Sequence, residues 1–359
     1  MQHRLQPGPL LDESGHLAEA GWADAEVRRY DRAAVTAPSW RIKEWDYYCV
    51  LTPEHGLALT VADNGYMGLL GVSWLDLRNR REVTENVMLP FPLGRMGLPA
   101  SADTGDVVVE HKKMRIAFRH DAGGRVLSID HPGFDGGRGL RGELRLARPD
   151  TASSGRSAGS APARMVIATP FPKAPKAFYY NQKINCLPAT GQVTVGGDTV
   201  RFEPESAFGV FDWGRGVWTY DNTWYWGSAS GVVDGRPFGF TSGTASVTRL
   251  RRARTWCSSV ASRTNWDRVM FHLPEGTYDA APWKFSSNDG RFEMVFEPIL
   301  DRAAAVDFKV LRSIQHQVFG RFTGHVVLDD GSRMEVTDLL GFRRGGPQPL
   351  VSGRRHHSV

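Results

Sequence analysis

"WTYDNTWYWGSASGVVDGRPFGF", residues 218–240, reads as extended chain that doubles back on itself. Asp234-Gly235 is a residue pair that supplies the positive φ angles of a tight hairpin turn. Side chains alternate across an extended strand, so Trp224 and Trp226 fall on one face and Tyr225 on the other. Trp218 and Tyr220 share a face by the same rule. Rings gathered on one face bury a large apolar area, and their N–H and O–H groups then need partners.

The same pattern continues outward. "QVTVGGDTVRF" (192–202) turns at Gly196-Gly197, and "HVVLDDGSRMEV" (325–336) turns at Asp330-Gly331. In "HKKMRIAFRH", Met114, Ile116 and Phe118 alternate with polar residues, and Phe292, Met294 and Phe296 do so in "RFEMVFEPI". Period-two patterning marks half-buried strands. The 39 glycines and 21 prolines suit many turns, and no long amphipathic helix follows residue 40. The chain is therefore predicted to be all-β, with sheets that close into barrels or stack as a sandwich. Aromatic-rich strands and hairpins in each half predict two β lobes: an arm over 1–38 with a short helix in 17–34, a first lobe over 39–175, and a second over 176–345 that carries the tryptophans. The small polar run 149–163 is expected to be a flexible loop, and 346–359 a disordered tail.

Composition narrows the function. Apolar content of 41% and charged content of 23% are those of a globular chain. A formal charge of +5 over 359 residues tolerates anionic ligands or peripheral contact with a membrane, but it is not the dense basic stripe of a nucleic-acid binder. Cys49, Cys186 and Cys257 lie far apart without CxxC spacing, which argues against disulfides and cysteine-held zinc. His316 and His325 are isolated in sequence, so no metal is expected. With no apolar leader at the N-terminus and no run of eighteen apolar residues, the expected location is the cytoplasm. P-loop, dinucleotide and HExxH motifs are missing, and "GSASG" (227–231) has Ala229 where a nucleophile elbow needs serine. No cofactor is expected. Nothing in the sequence sets an oligomeric state.

The candidate chemistry lies in "FDWGRGVWTYDNTWYW" (211–226). Asp212 and Arg215, flanked by Gly214 and Gly216, read either as an ion pair fixing a tight bend or as a carboxyl group in an aromatic mouth, where desolvation favours the acid form. Asp221, beside Tyr220, is a second candidate acid. In "FYYNQKINCLPATG" (178–191), following Tyr180, the polar residues Asn181, Lys183 and Asn185 repeat at spacing two. They make one polar row, either outward-facing or lining a cavity. Lys43, Asp46 and Tyr48 of "RIKEWDYY" (41–48) are equally open.

These segments, with "ADNGYMG", "HQVFGRFTG" and "LDDG…DLLGF", resemble the bacterial family of domain of unknown function 2804 over roughly residues 40–342. The Asp212 segment followed by Trp224 and Trp226 is more distantly similar to the carotenoid hydratase and hydroxyneurosporene synthase group. Here Trp213 and Gly214 replace that group's His and Glu, and Arg215 replaces its Trp. This resemblance implies two lipocalin-like β lobes and chemistry by protonation of hydrophobic polyenes. It suggests hydration, isomerisation or cyclisation of an isoprenoid or polyketide-like molecule. Asp212, Arg215, Tyr220, Asp221 and Tyr225 are then the candidate catalytic residues. Trp213, Trp218, Trp224, Trp226, Tyr180, Asn181 and Lys183 are the candidate substrate-binding residues. The competing expectation is a non-catalytic carrier or sensor of the same ligands.

Overall fold

A computed structural model describes residues 3–147, 164–171, 173–219, 222–244, 256–259, 264, 266, 269–272, 278, 281–308 and 311–348. Two large antiparallel sheets of thirteen and eight strands account for most of them. The predicted alternation is met in the packing: Ile116 and Phe118 are buried on Arg115–Asp121, with Met114 buried just before it, and Phe292, Met294 and Phe296 are buried on another strand. The hairpins turn where expected, with positive φ at Gly196 and Gly197, at Asp234 and Gly235, and at Gly331. Each sheet curls to form a lipocalin-like lobe.

In the first sheet the central neighbours run His55–Asp63, Ile42–Leu51, Phe208–Val217, Ala174–Val195 and Leu140–Ala147. The second sheet runs Arg236–Thr244, Asn222–Val233, Arg333–Gln348, Leu311–Val327 and Phe292–Phe308, among other strands. Ala174–Val195 and Phe208–Val217 thus lie in the first sheet, and the chain crosses to the second between Val217 and Asn222 instead of near residue 175. Phe208–Val217 pairs with Ile42–Leu51 across more than 150 residues of sequence, a partnership that hairpin spacing does not reveal.

The arm departs from the expected helix. Gly21–Ala23 is a strand on Arg164–Phe171, Arg28–Arg29 pairs with Gly8–Pro9, and only Arg32–Ala34 forms a 3-10 turn. A side chain at Gly21 would meet the His3 carbonyl oxygen at 2.4 Å, so the backbones approach too closely for any other residue. Leu5, Leu10, Leu11 and Tyr30 instead drop into the first lobe's core, and that burial outweighs local helix preference. The strand Arg333–Gln348 continues past residue 345. The loop 149–163 and residues 349–359 lie outside the described residues.

The described residues form three apolar cores, one inside each lobe and one between them. The third contains Tyr47, Cys49, Val210, Trp226, Phe319 and Phe342. Alternation on the shared strands therefore sorts residues into a lobe interior or the seam between lobes.

Candidate functional site

The strand Phe208–Val217 is buried along its whole length. Phe211, Trp213 and Val217 face the first lobe's interior, whereas Val210 faces the seam. Asp212 and Arg215 differ by an odd number, so they point to opposite faces. The expected Asp212–Arg215 ion pair does not form, and the segment is regular strand without a bend.

Arg215 is instead saturated inside the first lobe. Its Nη2 donates to Asp46 Oδ1 at 3.0 Å and to the Pro99 carbonyl at 2.7 Å. Nη1 donates to the carbonyls of Trp45 (2.9 Å) and Gly214 (2.8 Å), and Nε to that of Pro99 (3.2 Å). The guanidinium also lies 4.2 Å from the Trp213 ring centre. Burial pushes the Asp46 carboxyl up, and Arg215 opposes that shift. Tyr180 shares this interior, donating to the Arg28 carbonyl at 2.7 Å, and its ring meets Trp213 edge-on. Arg215, Trp213 and Tyr180 thus hold the first lobe and its arm together, with no side chain turned to the seam.

The polar row predicted in Ala174–Val195 does face the seam. Lys183 stands opposite Asp212 in the antiparallel register, and Asn181 stands opposite Gly214. Lys183 Nζ lies 2.9 Å from Asp212 Oδ1, and Asn181 Nδ2 donates to the same oxygen at 2.6 Å. Both side chains of the ion pair are less than a tenth exposed. Trp226 of the second lobe covers the ammonium, its ring centre 3.9 Å from Nζ, and its own N–H donates to Thr241 at 3.0 Å. Burial pushes the Lys183 pKa down; Asp212 opposes the shift, and Arg344 adds to it. Asn185 completes the row by donating across the seam to Ser228 Oγ and the Phe240 carbonyl, both at 2.7 Å.

Trp45, Tyr179, Tyr47, Arg302, Gln317 and Arg344, not singled out from sequence, join the expected Trp218 in finishing the site. Trp45 lies on Gly214, where a methyl group would sit 1.9 Å from the indole. Trp45, Tyr179 and Trp218 form a half-buried aromatic trio with ring centres 4.9–6.1 Å apart. The Tyr179 phenol is held well above its usual range by burial and by Asp212. Tyr47 accepts from Gln317 Nε2 at 2.9 Å, Arg302 Nη2 donates to Gln317 Oε1 at 2.5 Å, and Arg344 lies 5.1 Å from the Tyr47 ring. The clue to these residues was the alternation in "RIKEWDYY", which places Trp45 and Tyr47 opposite Asp46 and Tyr48.

Of the four tryptophans, Trp218 and Trp226 lie on the Asp212 side and Trp213 on the other. Tyr225 faces the second lobe's interior, opposite Trp226. Tyr220, Asp221 and the Trp224 side chain lie outside the described residues. Lys43 lies 4.6 Å from the Tyr66 ring, and burial lowers its pKa to about 8.

The two curled antiparallel sheets give this chain a lipocalin-like fold. The chain belongs to the DUF2804 family, a domain of unknown function, matched over residues 2–343. No curated protein sequence matches it. Its fold is similar to that of kievitone hydratase from Nectria haematococca (TM-score 0.54, 12% identity, covering 85% of this chain and 88% of that one). It is likewise similar to CghA with Sch210972 (TM-score 0.51, 12% identity, covering 87% of this chain and 89% of that one).

Proposed function

We propose that the chain is an enzyme that adds, removes or relocates a proton on an apolar small molecule at the seam, leading to hydration, isomerisation or cyclisation. The observation that carries this is the Lys183–Asp212 pair, buried beneath Trp226 and beside the Trp45–Tyr179–Trp218 trio. Burying an ion pair is expensive, and apolar residues of similar size would hold the seam as well. Low polarity also favours neutral groups. In the proposed cycle the Lys183 proton crosses the 2.9 Å contact to Asp212 while substrate is bound, so that the carboxyl group acts as the acid. Among the described residues, Lys183 and Asn181 both reach Oδ1, so the proton that crosses from Lys183 arrives on that oxygen and leaves it for substrate.

In a hydration, Asp212 gives its proton to one carbon of a polarised double bond. A water oxygen bonds to the other carbon, and the proton that water sheds returns to the carboxylate. In an isomerisation or cyclisation, a proton lost from the substrate itself closes the cycle. Every step is redox-neutral. The indole faces favour developing positive charge. The sharing of this fold with a hydratase supports the reading.

The test is to incubate the protein with a small-molecule extract of its host and follow masses by liquid chromatography. Products shifted by one water or by no mass, abolished by Asp212→Asn, support catalysis. A ligand that binds unchanged to both proteins identifies a carrier.

A further inference from the structure

The opposite faces of the same second-lobe strands carry a different group of residues. Arg343 is 3% exposed and points into the second lobe, away from the seam. Its guanidinium lies 4.4 Å from the Tyr225 ring centre, 4.5 Å from Trp283 and 5.5 Å from Phe271. These rings cover its faces and leave its edges. Nε and Nη2 are buried and find no hydrogen-bond partner among the described residues. Those two atoms carry the parallel N–H pair along one edge of a guanidinium, the geometry that takes both oxygens of a carboxylate. Burial lowers the Arg343 pKa to about 10, and the Tyr225 and Tyr278 phenols oppose the shift.

A second group sits beside it. Gly345 stands in register between Tyr225 on one neighbouring strand and His316 on the other, so the sheet carries no side chain at the centre of that row. His316 Nδ1 is 2.7 Å from Asp301 Oδ2, and the tilted Tyr278 ring has its centre 4.5 Å from that of the imidazole. Tyr225, Phe271, Tyr278 and His316 are half-buried, whereas Phe240, Phe292, Phe296 and Phe322 fill the lobe behind them. Those four residues keep part of their surface exposed at this end of the lobe. Tyr225 and Phe271 stack 6.4 Å apart over Arg343, and they are the rings that must part to admit a ligand.

We propose that this end of the second lobe is a binding site for a flat apolar carboxylic acid. The carboxylate lies against Nε and Nη2 of Arg343. The apolar body lies over Gly345 between Tyr225, Phe271 and Trp283, and His316, fixed by Asp301, offers its remaining ring nitrogen to the ligand. An aromatic or conjugated acid suits this geometry better than a flexible chain, because flat bodies stack between rings at little entropic cost. The site does not depend on proton transfer at Asp212.

The test is titration calorimetry of the full chain with cinnamate, retinoate and decanoate, each compared with its matching alcohol. Cinnamate or retinoate should bind at least tenfold more tightly than its alcohol and than decanoate. Arg343→Met preserves an unbranched chain of similar reach, and it should lose tenfold or more for the acid while leaving the alcohol unchanged. Arg343→Lys, which keeps the charge but not the paired donors, should recover only part of that loss. Asp212→Asn should bind the acids as the wild type does. The proposal is overturned if no acid binds saturably, if acid and alcohol bind alike, or if Arg343→Met or, should that variant not fold, Arg343→Lys binds the acid as tightly as wild type.

Discussion

Lys183 and Asp212 stand directly opposite each other on neighbouring antiparallel strands, 2.9 Å apart, and both belong to one lobe while the indole over them belongs to the other. Closing the seam therefore desolvates a pair that the first lobe has already assembled.

Removing one member of that pair leaves the other buried without its counter-charge. Lys183→Met and Asp212→Leu should each destabilise the fold by about 3–5 kcal/mol, and the double variant should recover most of the loss. Urea unfolding of the two single variants and the double variant measures this. Additive losses would show that the charges do not act as a pair.

Arg215 satisfies Asp46 and three carbonyl oxygens in the first lobe. Arg215→Met should cost about 3–5 kcal/mol in urea unfolding. A well-folded fraction of the variant should still show the ligand chemistry of the seam, since Arg215 points away from it.

Gly214 carries the Trp45 indole on its bare backbone. Gly214→Ala should displace the ring and cost about 1–3 kcal/mol, as overpacking does. Pairing it with Trp45→Leu should restore part of the melting temperature lost by Gly214→Ala alone.

Alkaline stability follows from buried phenols and thiols. Burial raises Tyr179 and Tyr47 well above their unfolded value of 10.0, and raises Cys49 to about 11 and Cys186 to about 12 from 9.0. A folded pKa above the unfolded one gives stability that is complete below the unfolded pKa and lost as pH climbs toward the folded one. Stability should therefore begin to fall near pH 9 and fall more steeply beyond pH 10. Tyr179→Phe should flatten the second part. Denaturant midpoints from pH 8 to 11 check both.

Local pattern revealed much of this protein. The period of two and the Gly196-Gly197 and Asp234-Gly235 pairs established an all-β chain, because strand alternation and hairpin turns are properties of short segments. The row Asn181, Lys183, Asn185 and the opposition of Trp226 to Tyr225 followed from the same rule. Pairing between distant strands did not. Asp46 lies 169 residues from Arg215, and nothing nearby in sequence tells Asp212 that its partner is Lys183 and not the adjacent arginine. His316 looked isolated because Asp301 reaches it only across a long hairpin. "GFRRGG" gave no sign that alternation sends Arg343 into a lobe and Arg344 into the seam.

The most direct measurement of the central claim is native mass spectrometry of wild type and Asp212→Asn purified from the host, with extraction of whatever each carries. The account predicts that Asp212→Asn retains an apolar molecule that wild type converts to an isomer or a hydrated or dehydrated form. The same unaltered molecule on both proteins, or an Asp212→Asn variant that converts it at the wild-type rate, would contradict it.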